Sequence, residues 1–184
     1  MTRKLRYSMS VSLDGFIAGP TGDFSWAAPD EELHQFHNDR VRESGGHILG
    51  RRLYETMVYW ETDDPKWPAV QEEFADIWRA LPKVVFSTTL DDVKGNARLA
   101  RGDLAEEVTR LKEEPGEDLD VGGAGLAASC IKLGLVDEFR LFVNPVVAGG
   151  GTPFFPVLDE PLDLELIETR TFSSRVVYLR YQAR

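Results

Sequence analysis

The feature that most constrains this chain is a repeated junction, in which a short apolar run ends in glycine or hydroxyl residues and gives way at once to a helical pattern. It occurs at Leu49-Gly50-Arg51-Arg52, at Phe86-Ser87-Thr88-Thr89 and at Val121-Gly122-Gly123-Ala124-Gly125. Apolar runs alternating with segments of 3.6-residue period are the pattern of parallel strands joined by helical crossovers.

The rest of the chain extends that pattern. Residues 4–12 read as a strand with Leu5, Tyr7, Met9 and Val11 on one face. Residues 13–26 carry too many glycines and a proline to continue it and read as a long working loop. Pro29 and Asp30 open a helix over 30–44, with acids in its first turn. A strand at 47–49 leads into a helix over 51–60. A second helix follows Pro68, with Val70, Phe74, Ile77, Trp78 and Leu81 on one face, and Pro82 stops it. Strands are expected at 83–88, 97–100 and 118–121, and helices at 103–113 and 126–134. The long apolar strand 137–147 contains Pro145, which argues for an edge, an end or a bulge. Residues 163–172 and 175–182 alternate around Ser173-Ser174 as a closing hairpin. The sum is a single α/β domain over residues 1–184, with a mostly parallel central sheet, an antiparallel C-terminal edge hairpin and flanking helices.

Composition narrows the function. With 21 Lys+Arg against 31 Asp+Glu the net charge is −10, which disfavours nucleic acid and anionic lipid as partners. The basic start, Met1 to Arg6, is followed by no signal-peptide core, and no run reaches the roughly 20 apolar residues of a membrane span. One cysteine, Cys130, cannot form an internal disulfide and lies in an apolar helical pattern, so a buried thiol in a cytoplasmic protein is expected.

Ligands of open α/β sheets sit outside the carboxyl ends of strands, where helix N-termini offer free N–H groups to phosphate. The three junctions supply glycines for close backbone approach, hydroxyl donors and two arginines, which together suit a dinucleotide with an added phosphate. Each piece has a plainer reading: Gly122–Gly125 as a packing turn, Arg51 and Arg52 as solvated surface. A Rossmann fingerprint at Gly123-Ala124-Gly125-Leu126-Ala127-Ala128 lies too late in the chain to found that fold. His34 and His37, three apart on a helix, have no third ligand in view and read as packing or surface residues. Trp26 is the loop aromatic best placed to touch a planar ligand.

These motifs resemble a known family. RYSMSVSLDGFIAGPTGDFSW looks like the first strand and mobile loop of dihydrofolate-reductase-like proteins, HILGRRLYETMVYW like their G-R-x-x-[YW]-E segment, and VVFSTTL like their strand ending in paired hydroxyls. VGGAGLAASCIKLGLVDEFRLFVNPVVAGGGTPFF resembles the late segment of the reductase half of the riboflavin-pathway deaminase–reductases, the RibD C-terminal domain. The resemblance implies a dihydrofolate-reductase-like fold and NADPH as hydride source. Ser10, Ile17 and Gly19 would line the nicotinamide; Gly50, Arg51 and Arg52 would hold phosphates; Ser87 and Thr88 would lie near the adenosine phosphate; Gly122, Gly123, Ala124, Gly125 and Leu126 would hold the pyrophosphate. Asp14, Trp26 and Asn144 would face the substrate, with one of Asp30, Glu31 and Glu32 as the catalytic carboxylate. The implied activity is reduction of a small heterocycle, 5-amino-6-(5-phosphoribosylamino)uracil, with a pterin reductase or a non-catalytic nucleotide-binding dimer as alternatives. A homodimer built on the Pro145 strand and the Gly149–Gly151 loop is also implied. The deaminase signature of H-x-E with P-C-x-x-C does not occur in these residues.

Overall fold

The computed structural model describes residues 2–184; Met1, at the head of the basic N-terminal run, lies outside the described residues. The strands are β1 (Leu5–Ser12), β2 (Phe16–Ala18), β3 (Gly46–Gly50), β4 (Lys83–Phe86), β5 (Ala97–Ala100), β6 (Leu119–Gly122), β7 (Glu138–Asn144), β8 (Thr152–Pro153), β9 (Leu164–Thr171) and β10 (Val177–Ala183). The helices are α1 (Glu31–Arg42), α2 (Arg51–Met57), α3 (Ala69–Ala80), α4 (Leu104–Glu113) and α5 (Ala124–Lys132).

Eight strands form one sheet in the order β5-β4-β3-β6-β1-β7-β10-β9. The first six are parallel, and the closing hairpin adds β10 and β9 antiparallel at one edge. The two faces separate by the alternation of each strand. On one face Leu5, Tyr7, Val11, Ile48, Val121 and Phe139 pack against Val108 and Leu111 of α4 and Ala127, Cys130 and Ile131 of α5. On the other, Leu33 and Phe36 of α1 meet Phe142 and Tyr178, while Tyr54 of α2 and Trp78 of α3 meet Leu49 and Val85. Cys130 is fully buried, and burial pushes its thiol up to about 12, as its apolar setting requires.

The second face carries a row that no single strand reveals. Lys83, His47, Asp120, Arg6 and Glu138 are successive register partners on β4, β3, β6, β1 and β7. Arg6 and Asp120 form a two-pronged ion pair at 2.6 and 3.1 Å. Arg140 and Arg180 both hold Glu138, at 2.6 and 2.9 Å. Burial works against the Glu138 carboxylate, but Arg180 and Arg140 outweigh it and hold it below the usual range. For Lys83, burial prevails over the Glu61 carboxylate and lowers the ammonium.

Several sequence expectations shift. The loop after β1 contains β2, which pairs with β8; three residues are too few to show a period, and their partner lies far along the chain. α5 starts at Ala124, inside the glycine run, and α2 ends at Met57 before a 3-10 turn over Val58–Glu61. The Pro145 strand stops at Asn144, so Pro145 marks an end. That strand is interior, flanked by β1 and β10, and cannot supply a dimer edge. Among the described residues no helix is long and apolar enough to cross a membrane.

Candidate functional site

Because β4, β3 and β6 are neighbours and parallel, their carboxyl ends lie side by side, about 5 Å apart per strand. The junctions read from sequence therefore converge, but the one at Phe86-Ser87-Thr88-Thr89 opens no helix: β4 passes through a loop over residues 87–96 directly to β5. A Cβ placed on Gly123 would stand 3.5 Å from the Gly50 amide nitrogen, and one on Gly50 would meet the Leu126 Cβ at 3.4 Å. Gly123 has φ +93, a left-handed conformation that favours glycine, and it caps α5 with no side chain. The N–H groups of Ala124, Gly125 and Leu126 are thus the uncapped start of a helix. A Cβ on Gly125 would meet nothing within 4 Å, so the approach to this helix end is open. Gly122 is set by packing instead, since a side chain there would strike Leu53 at 2.5 Å.

Arg51 reaches Glu55 at 3.3 Å on the exposed first turn of α2, and Arg52 is exposed beside it. The Ser87 hydroxyl is spent within its own turn, accepting from the amides of Thr89 and Leu90 at 3.2 and 3.0 Å; Thr88 is exposed. A pyrophosphate fits this surface on three grounds: an open helix start, glycines in close contact, and arginines at the adjoining turn.

Next to the turns a cleft of about 500 Å³ runs between the sheet and α1, α2 and α3. Leu49, Leu53 and Gly122 line it where it meets the turns. Its walls include Met57, Trp60, Phe74, Trp78 and Phe142, and its polar groups include Ser8, Ser10 and all three histidines of the chain. His37 packs against Phe142 with ring centroids 4.2 Å apart and the rings tilted by 51°. Burial, assisted by the charge of His34, pulls the His37 imidazole down to about 4. His34 is lowered by burial against the pull of Glu73. His47 is lowered by burial, partly opposed by Asp120.

The expected substrate-side residues fare differently. Ser10 lines the cleft. Asp30 instead caps α1, accepting from the Leu33 amide at 2.9 Å. Glu31 and Glu32 lie along an outer depression with Arg170, and Glu32 is bound there by Arg170 and Ser173. None of the three carboxylates lines the cleft; the helical turn that presents His34 and His37 inward carries residues 31 and 32 outward. Asn144 is buried and donates to the carbonyls of Val11 and Phe142 at 3.3 and 3.0 Å, so it clips strands together. Asp14 accepts from the amides of Ala148 and Gly149 at 2.9 and 2.8 Å, joining two loops. Trp26 sits in a 3-10 turn outside the cleft, although Ala27, Ala28 and Pro29 line it. Ile17 packs on the main core from β2, and the Gly19 amide donates to the Asp23 carbonyl at 2.8 Å.

The inward histidines were the missed signal. Their spacing of three, with Val41 a further turn on, marks one helix face, and that face lines the cleft, which a reading as packing or surface residues does not anticipate. Among the described residues no group of three or more His, Cys, Asp or Glu side chains is arranged to hold a metal ion.

Residues 3–178 match the RibD C-terminal domain. The chain belongs to the RibD C-terminal domain family. The chain is also similar to the uncharacterized protein YyaP of Bacillus subtilis (strain 168), 35% identical over 182 residues, with 97% of this chain and 94% of YyaP covered. A putative riboflavin biosynthesis protein from Shewanella sp. PV-4 superposes with a TM-score of 0.79 at 21% identity, covering 100% of this chain and 99% of that one. Dihydrofolate reductase from Enterococcus faecalis, complexed with NADP(H) and RAB-propyl, superposes with a TM-score of 0.66 at 15% identity, covering 100% and 99%. The RibD C-terminal domain described here thus has the dihydrofolate-reductase-like fold.

Proposed function

We propose that the chain is an NADPH-dependent reductase acting on a C=N or C=O bond of a planar heterocycle. The observation that carries this is continuity: Leu49, Leu53 and Gly122 border both the converging turns and the aromatic-walled cleft. When bound, NADPH supplies a hydride from C4 of its dihydronicotinamide ring. The uncapped start of α5 would bind the pyrophosphate through its amides, and Arg51 and Arg52 the 2′-phosphate. Ser10 and the apolar walls would fix the face of the planar rings, and α1 would cover them from water. The solved relative with bound NADP(H) supports this choice of coenzyme.

The riboflavin-pathway substrate, 5-amino-6-(5-phosphoribosylamino)uracil, and a pterin are the two candidate substrate types. The apolar walls favour the pterin-like one. Val121, just before the glycine pair, is buried in the main core and reaches the cleft lining as an apolar residue with no charge to offer a ribosyl phosphate.

The test is stopped-flow loss of NADPH absorbance with each substrate type. Arg51→Ala should weaken NADPH about 10-fold or more, from the loss of a hydrogen bond to a charged group, and NADH far less. Tight coenzyme binding without turnover of any heterocycle would favour the non-catalytic nucleotide-binding reading, and equal losses for both coenzymes would remove Arg51 from the 2′-phosphate.

A further inference from the structure

The sheet has a second opening, at the end away from the coenzyme turns. A cavity of about 320 Å³ lies between α4 and the amino ends of β3, β4, β5 and β6, and the first residues of those strands, Gly46, Lys83, Ala97 and Leu119, all border it. β3 runs from this cavity to Gly50 in five residues, so about 13 Å separates the two ends. Ligand pockets span roughly 300–1,000 Å³, and one at the lower limit has room for a small molecule and not for a dinucleotide.

The backbone here is already committed: the amides of His47, Lys83 and Leu119 donate to the carbonyls of Pro82, Asn96 and Lys4. Recognition therefore falls to side chains, and the lining sets Arg3, Arg98 and Arg110 against one carboxylate, Glu114. Lys83 pairs with Glu61 instead. Arg98 and Arg110 share Glu107, and Arg110 also reaches Glu114. Arg3 is 8% exposed, and none of the ion pairs among the described residues includes it. Its Nε and Nη1 donate to the carbonyls of Glu117 and Leu111 at 2.5 and 3.4 Å, which ties down the C-terminal end of α4. A helix end offers only about half a negative charge, so part of the buried guanidinium charge stays uncompensated. Its Nη2 has no partner among the described residues and lies against Gly45, also on the lining, where a Cβ would come within 2.3 Å of it. In a chain with 31 acids to 21 bases, such a cluster is a local reversal of the field. Beneath it the lining is apolar, with Ile48, Leu111 and Leu119 all buried.

We propose that this cavity is a second binding site, for a small carboxylate with an apolar body, whose charge meets Arg3 and whose body lies on Ile48, Leu111 and Leu119. The site is separate from the cleft and does not rest on the reductase reading.

The experiment is calorimetric titration of the full chain with benzoate, acetate and benzamide at pH 7 and about 0.15 M salt, which screens exposed charges. Benzoate should bind one per chain and at least about 10-fold more tightly than acetate, the factor for about 60 Å² of buried apolar surface. Benzamide, its uncharged counterpart, should bind at least about 10-fold more weakly than benzoate, since a hydrogen bond between charged groups is replaced by a neutral one. Arg3→Gln should weaken benzoate by a similar factor. Should that variant fold poorly, the double change Arg98→Gln with Arg110→Gln, at exposed positions, should still weaken benzoate about 3-fold or more. NADPH affinity should be the same with and without saturating benzoate. Absence of benzoate binding, equal binding of acetate or benzamide, unaltered affinity in both arginine variants, or displacement of benzoate by NADPH overturns the proposal. Benzoate binding with no uptake of NADPH would leave it standing and remove the reductase reading. Turnover of NADPH with no benzoate binding would do the reverse.

Discussion

Stability should fall as pH drops from 7.5 to 5, and His37 should account for much of the fall. In the folded chain its imidazole titrates near 4, against 6.5 when free, chiefly because burial penalises the cation. Between those values the unfolded chain binds the proton and the folded chain does not, so stability rises with pH across the window. At 1.36 kcal/mol per unit the full effect, reached below pH 4, is about 3 kcal/mol. About 2 kcal/mol of it develops between pH 7.5 and 5. His34 and His47 are also lowered by burial and add to the wild-type slope, but they remain in His37→Phe. The carboxylates held low, Asp14, Glu32, Glu73, Glu107 and Glu138, behave oppositely in range: their stabilisation is intact above the ordinary carboxylate value and is lost only in stronger acid. The difference between wild type and His37→Phe in this window therefore isolates one imidazole. Urea unfolding at half-unit pH steps measures it, and the corresponding difference in melting temperature is roughly 4–8 °C for a domain of this size. Parallel stability lines for the two proteins from pH 7.5 to 5 would refute the reasoning.

Asp120→Asn should cost about 3–5 kcal/mol in urea unfolding, because Arg6 stays buried without its partner, whereas the double change Arg6→Met with Asp120→Leu should recover most of that loss. Gly151 has φ +118 and sits against the backbone of Ala18 and Gly19, so Gly151→Ala should cost about 1–3 kcal/mol or more and expose the Phe154 amide, which donates to Gly15, to faster hydrogen exchange. The Asp14 carboxyl is held down to about 2 by the Ser12 hydroxyl and the Ala148 and Gly149 amides; its clasp should be intact above pH 4 and open only as pH falls toward 2, and Asp14→Asn should speed exchange of both amides at pH 7.

The elements were legible because their signals are local. Pro82 ends α3's pattern, Asp30 and Asp103 cap α1 and α4, and the period of two places Leu5, Tyr7 and Val11 on one face. The glycine-bearing turns at the ends of β3 and β6 were legible for the same reason, since glycine at a strand end just before a helix is a local arrangement. The substrate side was not. Glu32 had the composition of a catalytic carboxylate, but its direction depends on where α1 lies on the sheet, and Arg170 and Ser173, far along the chain, claim it. Asn144 looked free until strand pairing gave its amide two carbonyls.

By itself the sequence determined the alternation of strands and helices, the closing hairpin and the glycine-bounded junctions, because backbone preference and side-chain period act over a few residues. Tertiary structure alone decided that β1 lies between β6 and β7, that five ionisable side chains align across five strands, and that three histidines share one cleft. Those outcomes depend on strand order and register, which are set by burial and charge pairing between residues more than 100 positions apart, as in Arg6 with Asp120.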